Sequence, residues 1–477
     1  MALSKDKALD AVKTVLEVQR TQEMPRLSRI REALKTEHAG DPWVPTVQIP
    51  EDAPPLMKEI ARKSRTNYLP LLVKTFSQVM KLDGCAFSSD EGGTDPWVWW
   101  QRNRMDSRQT GLTRSVLSYG AGYATVLSGT YGRGLKGPSV SLFSPRDMTA
   151  VYADPESDEW PILAVSVDER ASGTIVTLYD EEQMYRFGVE GKPGPRSSWP
   201  SFSVPYLSGR LTYIDALSHG TGAAPVVRYR DRNLLAGEEQ FGIVEPLMTV
   251  QERLDETTFQ MLATQYVQLF KQRYVIGWVP KTEREQLKAG AARIWYIDED
   301  PADVKVEELP GGTVQPYIDS RNSALRDFSA IGQVPVQTFG IDGLSNISDA
   351  TLAGLEAAKN REGDEIKTSL GESHEQMLRL CAQIDGNETA ADDYEAEVRW
   401  RNFEARSYSQ TVDGITKLGQ MLGIPTEDLL EDIPGMTGTR QERIADSLRR
   451  TKARETVAAL TKPAVTIAPA ADGPVGS

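Results

Sequence analysis

Chemistry is sought first in a glycine pattern. Tyr131-Gly132-Arg133-Gly134-Leu135-Lys136-Gly137 contains the spacing GxGxxG. Such a run cradles a pyrophosphate only between a strand and a helix, where the helix N-terminus faces the phosphates. Here Pro138 and a strand-like Ser139–Phe143 follow, so the required helix is missing. The stretch also fails as a P-loop: Ser139 falls at the Ser/Thr position, but Pro138 stands where the phosphate-binding lysine is needed. Nucleotide chemistry is therefore not expected, nor is a cofactor. His374-Glu375 lies in helical sequence, yet Leu378 replaces the second histidine of HExxH. His38, His219 and His374 sit in unrelated contexts, and with Cys85 and Cys381 they form no metal set by spacing. No Gly-x-Ser-x-Gly elbow occurs. The acidic pairs Asp392-Asp393 and Glu307-Glu308 are adjacent in sequence, as in solvated turns. Asn346-Ile-Ser348 and Asn387-Glu-Thr389 match a glycosylation pattern that has meaning only after secretion. No catalytic, cofactor-binding or metal residue is expected, and an enzyme is disfavoured.

Composition narrows the class further. At 477 residues the chain has room for about three domains of ordinary size. Hydrophobic content of 39% and charged content of 26% describe a somewhat polar globular protein. No apolar run approaches the roughly 20 residues of a membrane span, and Met-Ala-Leu-Ser-Lys-Asp-Lys lacks the apolar segment of a secretory signal. Two cysteines far apart fit folding in a reducing compartment, both as small buried residues. A net charge of −14 and a pI of about 5.0 argue against holding nucleic acid on a broad basic surface. They leave room for a protein that lets nucleic acid slide past, since each lysine–phosphate contact would act as a brake.

The elements centre on Gly242 to Gly332, read as helix, small strand-rich insert and returning helix. Leu247, Val250, Leu254 and Met261 give a helix over about Ile243–Phe270 one apolar side. Its half from Glu256 to Phe270 carries one charge in fifteen residues, with Thr and Gln where a solvated face would carry Lys and Glu. That composition implies neighbours on more than one side. Ile318, Leu325, Phe328 and Ile331 mark the return helix, about Tyr317–Ile331. Between them Arg273–Val279 and Arg293–Ile297 read as short strands flanking a helical turn at Thr282–Ala289. The pair makes either a stalk with a head or an ordinary helical hairpin with an insertion.

Before this centre, Lys5–His38 reads as an amphipathic arm kinked or split at Pro25, and Gly40–Pro55 as a proline-rich connector. Helices follow at Leu56–Ser64 and Tyr68–Met80, the second ended by an Asp83-Gly84 turn. Asp95 caps a tryptophan-rich helix that Gly120-Ala121-Gly122 stops, and Tyr123–Leu127 is a strand. Ser139–Phe143, Ala150–Tyr152, Ile162–Val167, Thr174–Leu178, Met184–Gly188 and Val226–Arg230 read as a mostly antiparallel β region, with an exposed Gly191–Gly209 loop. After the centre, Val334–Asp349 is a long loop, Ala350–Cys381 a long helix whose early Ala353, Leu355, Ala357 and Ala358 allow close packing, and Glu395–Trp400 a strand. Short helices at Ser409–Leu422, Thr426–Leu430 and Thr439–Arg454 end in a Pro- and Ala-rich tail. The last helix carries Arg440, Arg443, Arg449, Arg450, Lys452 and Arg454.

The order of these elements, with certain residues, resembles the portal proteins of tailed double-stranded DNA phages, in the long-tailed (siphovirus) branch. Four stretches carry the resemblance over nearly the whole chain. Trp100-Gln-Arg-Asn103 and Arg114-Ser-Val-Leu-Ser-Tyr-Gly-Ala-Gly-Tyr123 are similar to the family's wing helix running into a strand. Gly242–Gly332 looks like stem helix, clip and returning stem helix. Val334-Pro-Val-Gln-Thr-Phe-Gly340 through Ser348 is placed like the tunnel loop before the long spine helix. Val398-Arg-Trp-Arg-Asn-Phe403 leads to Arg406-Ser-Tyr-Ser-Gln-Thr-Val-Asp-Gly-Ile-Thr-Lys-Leu418, similar to the family's strand and first crown helix. No single motif is specific; the order is.

The resemblance implies an α+β fold of portal architecture: a mixed α/β wing, a two-helix stem, a small α/β clip, a long spine helix and a helical crown. The implied divisions are an arm and connector at 1–55, wing at 56–241, stem helix at 242–271, clip at 272–313, returning stem helix at 314–332, tunnel loop at 333–349, spine helix and wing strand at 350–404, crown at 405–455 and a disordered tail at 456–477. It further implies a structural protein, dodecameric in virions, at one vertex of the capsid, assembled in the host cytoplasm. Its channel would pass double-stranded DNA inward in packaging and outward in ejection. Implied partners are further copies of itself, the DNA, the terminase large subunit, a head-completion adaptor, the major capsid protein and a scaffold, with no membrane. Gln337, Thr338, Asp342, Gly343, Leu344 and Asn346 would form the loop nearest DNA. Lys271, Arg273, Arg321 and Arg326 flank the stem, either facing the channel or in ion pairs. Tyr274, Ile276, Trp278, Trp295 and Tyr296 would belong to the partner-binding clip. The basic helix Arg440–Arg454 would face packaged DNA or serve as a solvated crown surface. The rivals are a capsid- or chromosome-associated scaffold or interaction protein that forms no ring and, behind it, a nucleotide-dependent enzyme using Gly132–Gly137.

Overall fold

The computed structural model describes residues 3–35, 47, 49–87, 95–131, 134–170, 173–189, 209–269, 273–277, 300, 304–308, 313–341, 349–401, 408–422, 424–425, 428–430, 433 and 438–460. The chain packs as two units, Met1–Arg399 and Trp400–Ser477.

The first unit opens with α1 (Lys5–Thr14), where Ser4 accepts from the Lys7 amide as N-cap. A π-helical stretch, Val15–Arg20, joins it to α2 (Thr21–Leu34). The irregularity sits here and not at Pro25, which stays inside α2. The π turn carries Arg20 into the core. Its guanidinium donates to Pro145 O at 3.2 Å, to Thr149 Oγ1 at 3.0 Å and to the Arg146 carbonyl. Burial lowers its pKa, and Glu23 and Asp147 oppose that shift.

α3 (Pro55–Ser64) begins on a proline, which costs nothing where the N–H would lack a helical partner. α4 (Leu69–Val79) leads into β1 (Leu82–Ala86). The expected turn at Asp83-Gly84 is thus a strand, and its ladder partner lies over 300 residues away. A Cβ on Gly84 would stand 2.8 Å from Arg399 Nη2, so the glycine admits that side chain.

The tryptophan-rich helix is two helices, α5 (Trp97–Arg102) and α6 (Met105–Tyr119), instead of one. Arg104 at φ +55° makes the break, a conformation that periodicity does not reveal. Asn103 holds it by donating to Trp99 O at 2.9 Å and Pro138 O at 3.0 Å and accepting from the Val140 amide at 2.9 Å. Gly120 closes α6 at φ +83°.

Next come β2 (Ala121–Thr130), β3 (Lys136–Phe143), β4 (Met148–Val151), β5 (Leu163–Arg170), β6 (Gly173–Tyr179), β7 (Gln183–Val189), β8 (Leu211–Ser218) and β9 (Val226–Arg230). They form two antiparallel sheets, ordered β3-β2-β9 and β4-β5-β6-β7-β8. The strand β8 has no counterpart in the sequence reading. Its register shifts between Arg186 and Phe187 of the partner strand, and Ile214 falls between the pairs Phe187–Tyr213 and Arg186–Asp215. That irregularity breaks the period-2 pattern. Val165, Val167, Val176, Leu178, Tyr185 and Phe187 on one face of the larger sheet pack with Ala8, Val12, Val15 and Leu16 of the arm. Met148, Ala164 and Tyr179 meet Tyr123 and Val226 of the smaller sheet.

A 3₁₀ turn, Glu245–Leu247, enters α7 (Met248–Leu269). Strands β10 (Arg273–Ile276) and β11 (Lys305–Glu308) precede the return helix α8 (Gln315–Ile331). The described partner of β10 is therefore Lys-Val-Glu-Glu, too charged to signal a strand; the expected Arg293–Ile297 strand and Thr282–Ala289 turn lie outside the described residues. The segment expected to be loop throughout holds a 3₁₀ turn, Val336–Phe339. After it come α9 (Asp349–Asp385, 37 residues), α10 (Glu388–Ala391) and β12 (Glu397–Trp400), the partner of β1.

The second unit contains α11 (Tyr408–Leu422), a 3₁₀ turn at Asp428–Leu430 and α12 (Gly438–Leu460). Leu429 and Leu430 are buried, and all six basic residues named above on α12 are exposed.

Candidate functional site

The hairpin α7–α8 is built so that one chain satisfies its base and leaves its far half open. At the base, Gln251 and Asp255 lie one helical turn apart on α7, both buried. The Asp255 carboxylate accepts from the Thr66 amide at 3.3 Å and from Gln251 Nε2 at 2.9 Å, with Arg65 Nε at 3.8 Å. Gln251 accepts from the Tyr68 amide at 2.9 Å and donates to Thr66 O at 2.9 Å. This polar clamp ties α7 to the start of α4. Sequence reasoning missed it, although an uncharged Gln and an Asp at i,i+4 on an otherwise apolar side carried the signal. Across the hairpin Arg253 pairs with Asp327 at 2.5 Å, both half-exposed, so the pair contributes little in water.

The polar composition of α7 has a local explanation. Thr257, Thr258 and Thr264 donate their hydroxyls to the carbonyls four residues earlier, at 2.9, 2.8 and 2.8 Å. Each presents a methyl group outward and no unmet donor. Thr257 and Thr258 are buried, whereas Gln260, Gln265 and Tyr266 further along are exposed.

At the far end β10 and β11 pair antiparallel, Arg273 opposite Glu308 and Ile276 opposite Lys305. Arg273 and Tyr274 lie on β10, and Ile276 is 53% exposed. Trp278, Trp295, Tyr296 and Lys271 lie outside the described residues, as do Asp342, Gly343, Leu344 and Asn346.

Of the expected loop, the first turn is described. Gln333 at φ +53° turns the chain out of α8, and Ser329 Oγ donates to Val334 O at 2.5 Å. Phe339 is buried edge-on against Tyr68, with centroids 5.4 Å apart, and against Phe328 at 5.2 Å. Arg321 donates to Tyr68 Oη at 2.9 Å, which ties this expected channel cation to the base of the hairpin. Arg326 is exposed, as is Thr338. Gln337 Oε1 is buried without a hydrogen-bond partner.

The long α9 packs on β9. Ser369 and Ser373 donate to the Arg230 and Arg228 carbonyls at 2.9 and 3.1 Å. His374 lies in the core, its Nδ1 3.2 Å from Tyr229 Oη and its ring edge-on to Trp100. Burial pushes its pKa down to about 3, so it is a neutral packing residue at ordinary pH. Burial likewise raises Cys85 to about 12 and Cys381 further, so neither thiol is activated. The last glycine of the glycine pattern, Gly137, has a structural use. A Cβ on Gly137 would come within 2.0 Å of the Trp99 ring, and β3 takes the place of a phosphate-binding helix. Among the described residues no His, Cys, Asp and Glu group is placed to hold a metal, and no helix is long and apolar enough to cross a membrane.

Residues 17–454 match the model of one protein family, phage portal protein, SPP1 Gp6-like. The chain belongs to that family. Among solved structures, a chain in the virion of a native gene transfer agent particle is similar at 13% identity and a TM-score of 0.44, covering 80% of this chain and 95% of that one. A chain from the neck of an empty gene transfer agent particle, computed with C6 symmetry, gives 13% and 0.40, covering 79% and 91%. One from the native particle's neck, computed with C12 symmetry, gives 11% and 0.40, covering 81% and 89%. No curated protein matches significantly. The family assignment rests on the family match, which spans the arm beyond α1, both sheets, the hairpin, α9 and most of the second unit. The portal family is a structural, non-enzymatic family.

Proposed function

We propose that this portal protein forms a closed ring at one capsid vertex, with a central channel for double-stranded DNA in packaging and ejection. The observation that carries the reading is the family match over residues 17–454. The hairpin supports it. The half of α7 beyond Thr258 bears no charge from Phe259 to Leu269, yet part of it is exposed in a single chain. Copies of the same hairpin around a ring would cover that surface without burying a charge. The acidic balance suits a channel that does not grip phosphate.

In this reading α7 and α8 are the stem, β10 and β11 belong to the clip, and residues 333–349 are the tunnel loop. The clip, with Tyr274, Ile276, Trp278, Trp295 and Tyr296, docks the terminase large subunit and then a head-completion adaptor. The tunnel loop, from Gln337 and Thr338 through Asp342, Gly343, Leu344 and Asn346, lies nearest DNA. Arg321 serves the hairpin base, leaving Arg326, Arg273 and Lys271 as the cations nearest the channel. The wing meets the major capsid protein. The test is a packaging assay with Asp342, Gly343 and Leu344 all replaced by Ala, beside a chain lacking residues 273–310. Loop replacement should leave assembly intact and impair DNA filling, and the clip deletion should abolish terminase recruitment. Normal filling, or recruitment by the clip-deleted chain, would overturn the respective assignment.

A further inference from the structure

A cleft of about 710 Å³ opens between the 152–161 connector, strand β9 and helix α9. Its volume falls in the range of roughly 300–1,000 Å³ typical of ligand pockets. Arg228 and Arg230 stand two residues apart on β9 and so share one face. Both donate to the same acceptor, Pro155 O, Arg230 at 3.2 Å. The other two cleft guanidiniums are neutralised: Arg379 pairs with Glu159 at 3.1 Å, and Arg232 with Glu362 at 3.0 Å. Among the described residues Arg228 and Arg230 have no ion-pair partner. Burial, then the neighbouring Arg228 charge, lowers the Arg230 pKa, and Tyr152, Glu156 and Asp231 only partly oppose that shift.

A second, independent observation comes from Tyr152, which also lines the cleft. Its side chain is 8% exposed, and the Arg228 guanidinium stacks 3.9 Å above its ring. The hydroxyl is buried and makes no hydrogen bond. Burial raises its pKa to about 12, so it keeps its proton and can only lack an acceptor or a donor, not a charge. Two forked guanidiniums that no carboxylate pairs with directly among the described residues, and an orphan hydroxyl, together describe an oxyanion site lacking its oxyanion. The floor is rigid, because Ser369 and Ser373 of α9 fasten the β9 backbone beneath both arginines.

The rim decides the kind of anion. Five carboxylates, among them Glu156, Glu365 and Glu372, line the cleft beside four guanidiniums. Such a rim repels the successive phosphates of a nucleic acid but admits one acidic side chain flanked by neutral or basic ones. The chain itself, with 68 acidic against 54 basic residues, offers many such side chains. We infer that this cleft receives a carboxylate side chain from a second copy of the chain, held by Arg228, Arg230 and the Tyr152 hydroxyl. The inference rests on the ring reading above and names one of its inter-subunit contacts.

The experiment compares full-length wild type with Arg228→Gln/Arg230→Gln, Arg228→Lys/Arg230→Lys and Tyr152→Phe by native mass spectrometry over a concentration series. Thermal unfolding is recorded alongside. The double Gln variant should need at least tenfold more protein to assemble, the double Lys variant several-fold more because it keeps charge without the fork, and Tyr152→Phe several-fold more with its melting unchanged. If the Gln variant fails to fold, the Lys and Phe variants carry the test. Assembly of the folded variants at the wild-type concentration would overturn the inference while leaving the ring standing. A wild type that stays monomeric at every concentration, and also when co-expressed with its capsid protein, would overturn both. Binding of a 30-base-pair duplex by wild type, lost in the variants with assembly unchanged, would assign the site to phosphate and likewise overturn it.

Discussion

Replacing Phe339 with alanine should loosen the start of the proposed tunnel loop without unfolding the molecule. Phe339 is 6% exposed and closes a three-ring cluster with Tyr68 and Phe328, whose own centroids are 6.2 Å apart. Truncating a buried Phe costs about 3–5 kcal/mol, which includes two aromatic contacts of roughly 0.5–1.5 kcal/mol each. The turn lies between exposed Thr338 and Gly340, so the lower end, about 3 kcal/mol, applies. The rings anchor α4 and α8, which keep their other contacts, so the cost falls on local opening of 336–340. At about 1.4 kcal/mol per decade, the amides of Thr338 and Gly340 should exchange about a hundredfold faster. These amides bond to Pro335 O at 2.9 Å and Gln337 O at 3.0 Å, so their exchange reports the turn directly. Phe339→Leu keeps most of the apolar area and should give about a tenfold change. Native hydrogen exchange with peptide resolution measures both. An increase below threefold in the Ala variant, or equal effects across the whole chain, would refute Phe339 as the anchor of the loop.

Other outcomes follow from the same structure. Gly137→Ala places a methyl within 2.0 Å of Trp99 and should destabilise by about 1–3 kcal/mol in urea unfolding; unchanged stability would contradict the packing role of this glycine. Arg20→Met removes the donor for Pro145 O and Thr149 Oγ1, and the stranded carbonyl should cost about 1–3 kcal/mol, with earlier proteolytic release of the arm. His374 is buried with its pKa lowered to about 3, below its ordinary 6.5, so the folded state resists protonation. Its contribution is complete above pH 6.5 and is lost progressively as pH falls from there toward 3. Urea midpoints for wild type should therefore decline over that window more steeply than those of His374→Phe, provided the variant folds.

The sequence carried those elements whose pattern is local. Val226–Arg230 was legible to the residue because Pro225 and Asp231 bound a β-prone run, and both hairpin helices were legible from apolar spacing. What escaped depends on distant partners or rare backbone states. Asp83-Gly84 has turn chemistry, and only pairing with β12 makes it a strand. Arg104 adopts a left-handed conformation that no periodicity marks, and the π turn at Val15–Arg20 displaced the break expected at Pro25. At the candidate site, Arg321 was legible as a cation of the return helix but not as the partner of Tyr68, which lies 253 residues away. The Arg228–Arg230 pair was unreadable in advance, because two arginines on a strand are ordinary until the fold shows both donating to the Pro155 carbonyl with no ion-pair partner among the described residues.

The ring is the central claim, and native mass spectrometry of the purified full-length chain, with negative-stain images of the same sample, tests it most directly. The prediction is a single closed species of about a dozen copies with a central hole, disrupted by a charge placed on the uncharged half of α7. A monomer or dimer that stays open-faced at every concentration, and also when co-expressed with its capsid protein, would contradict it.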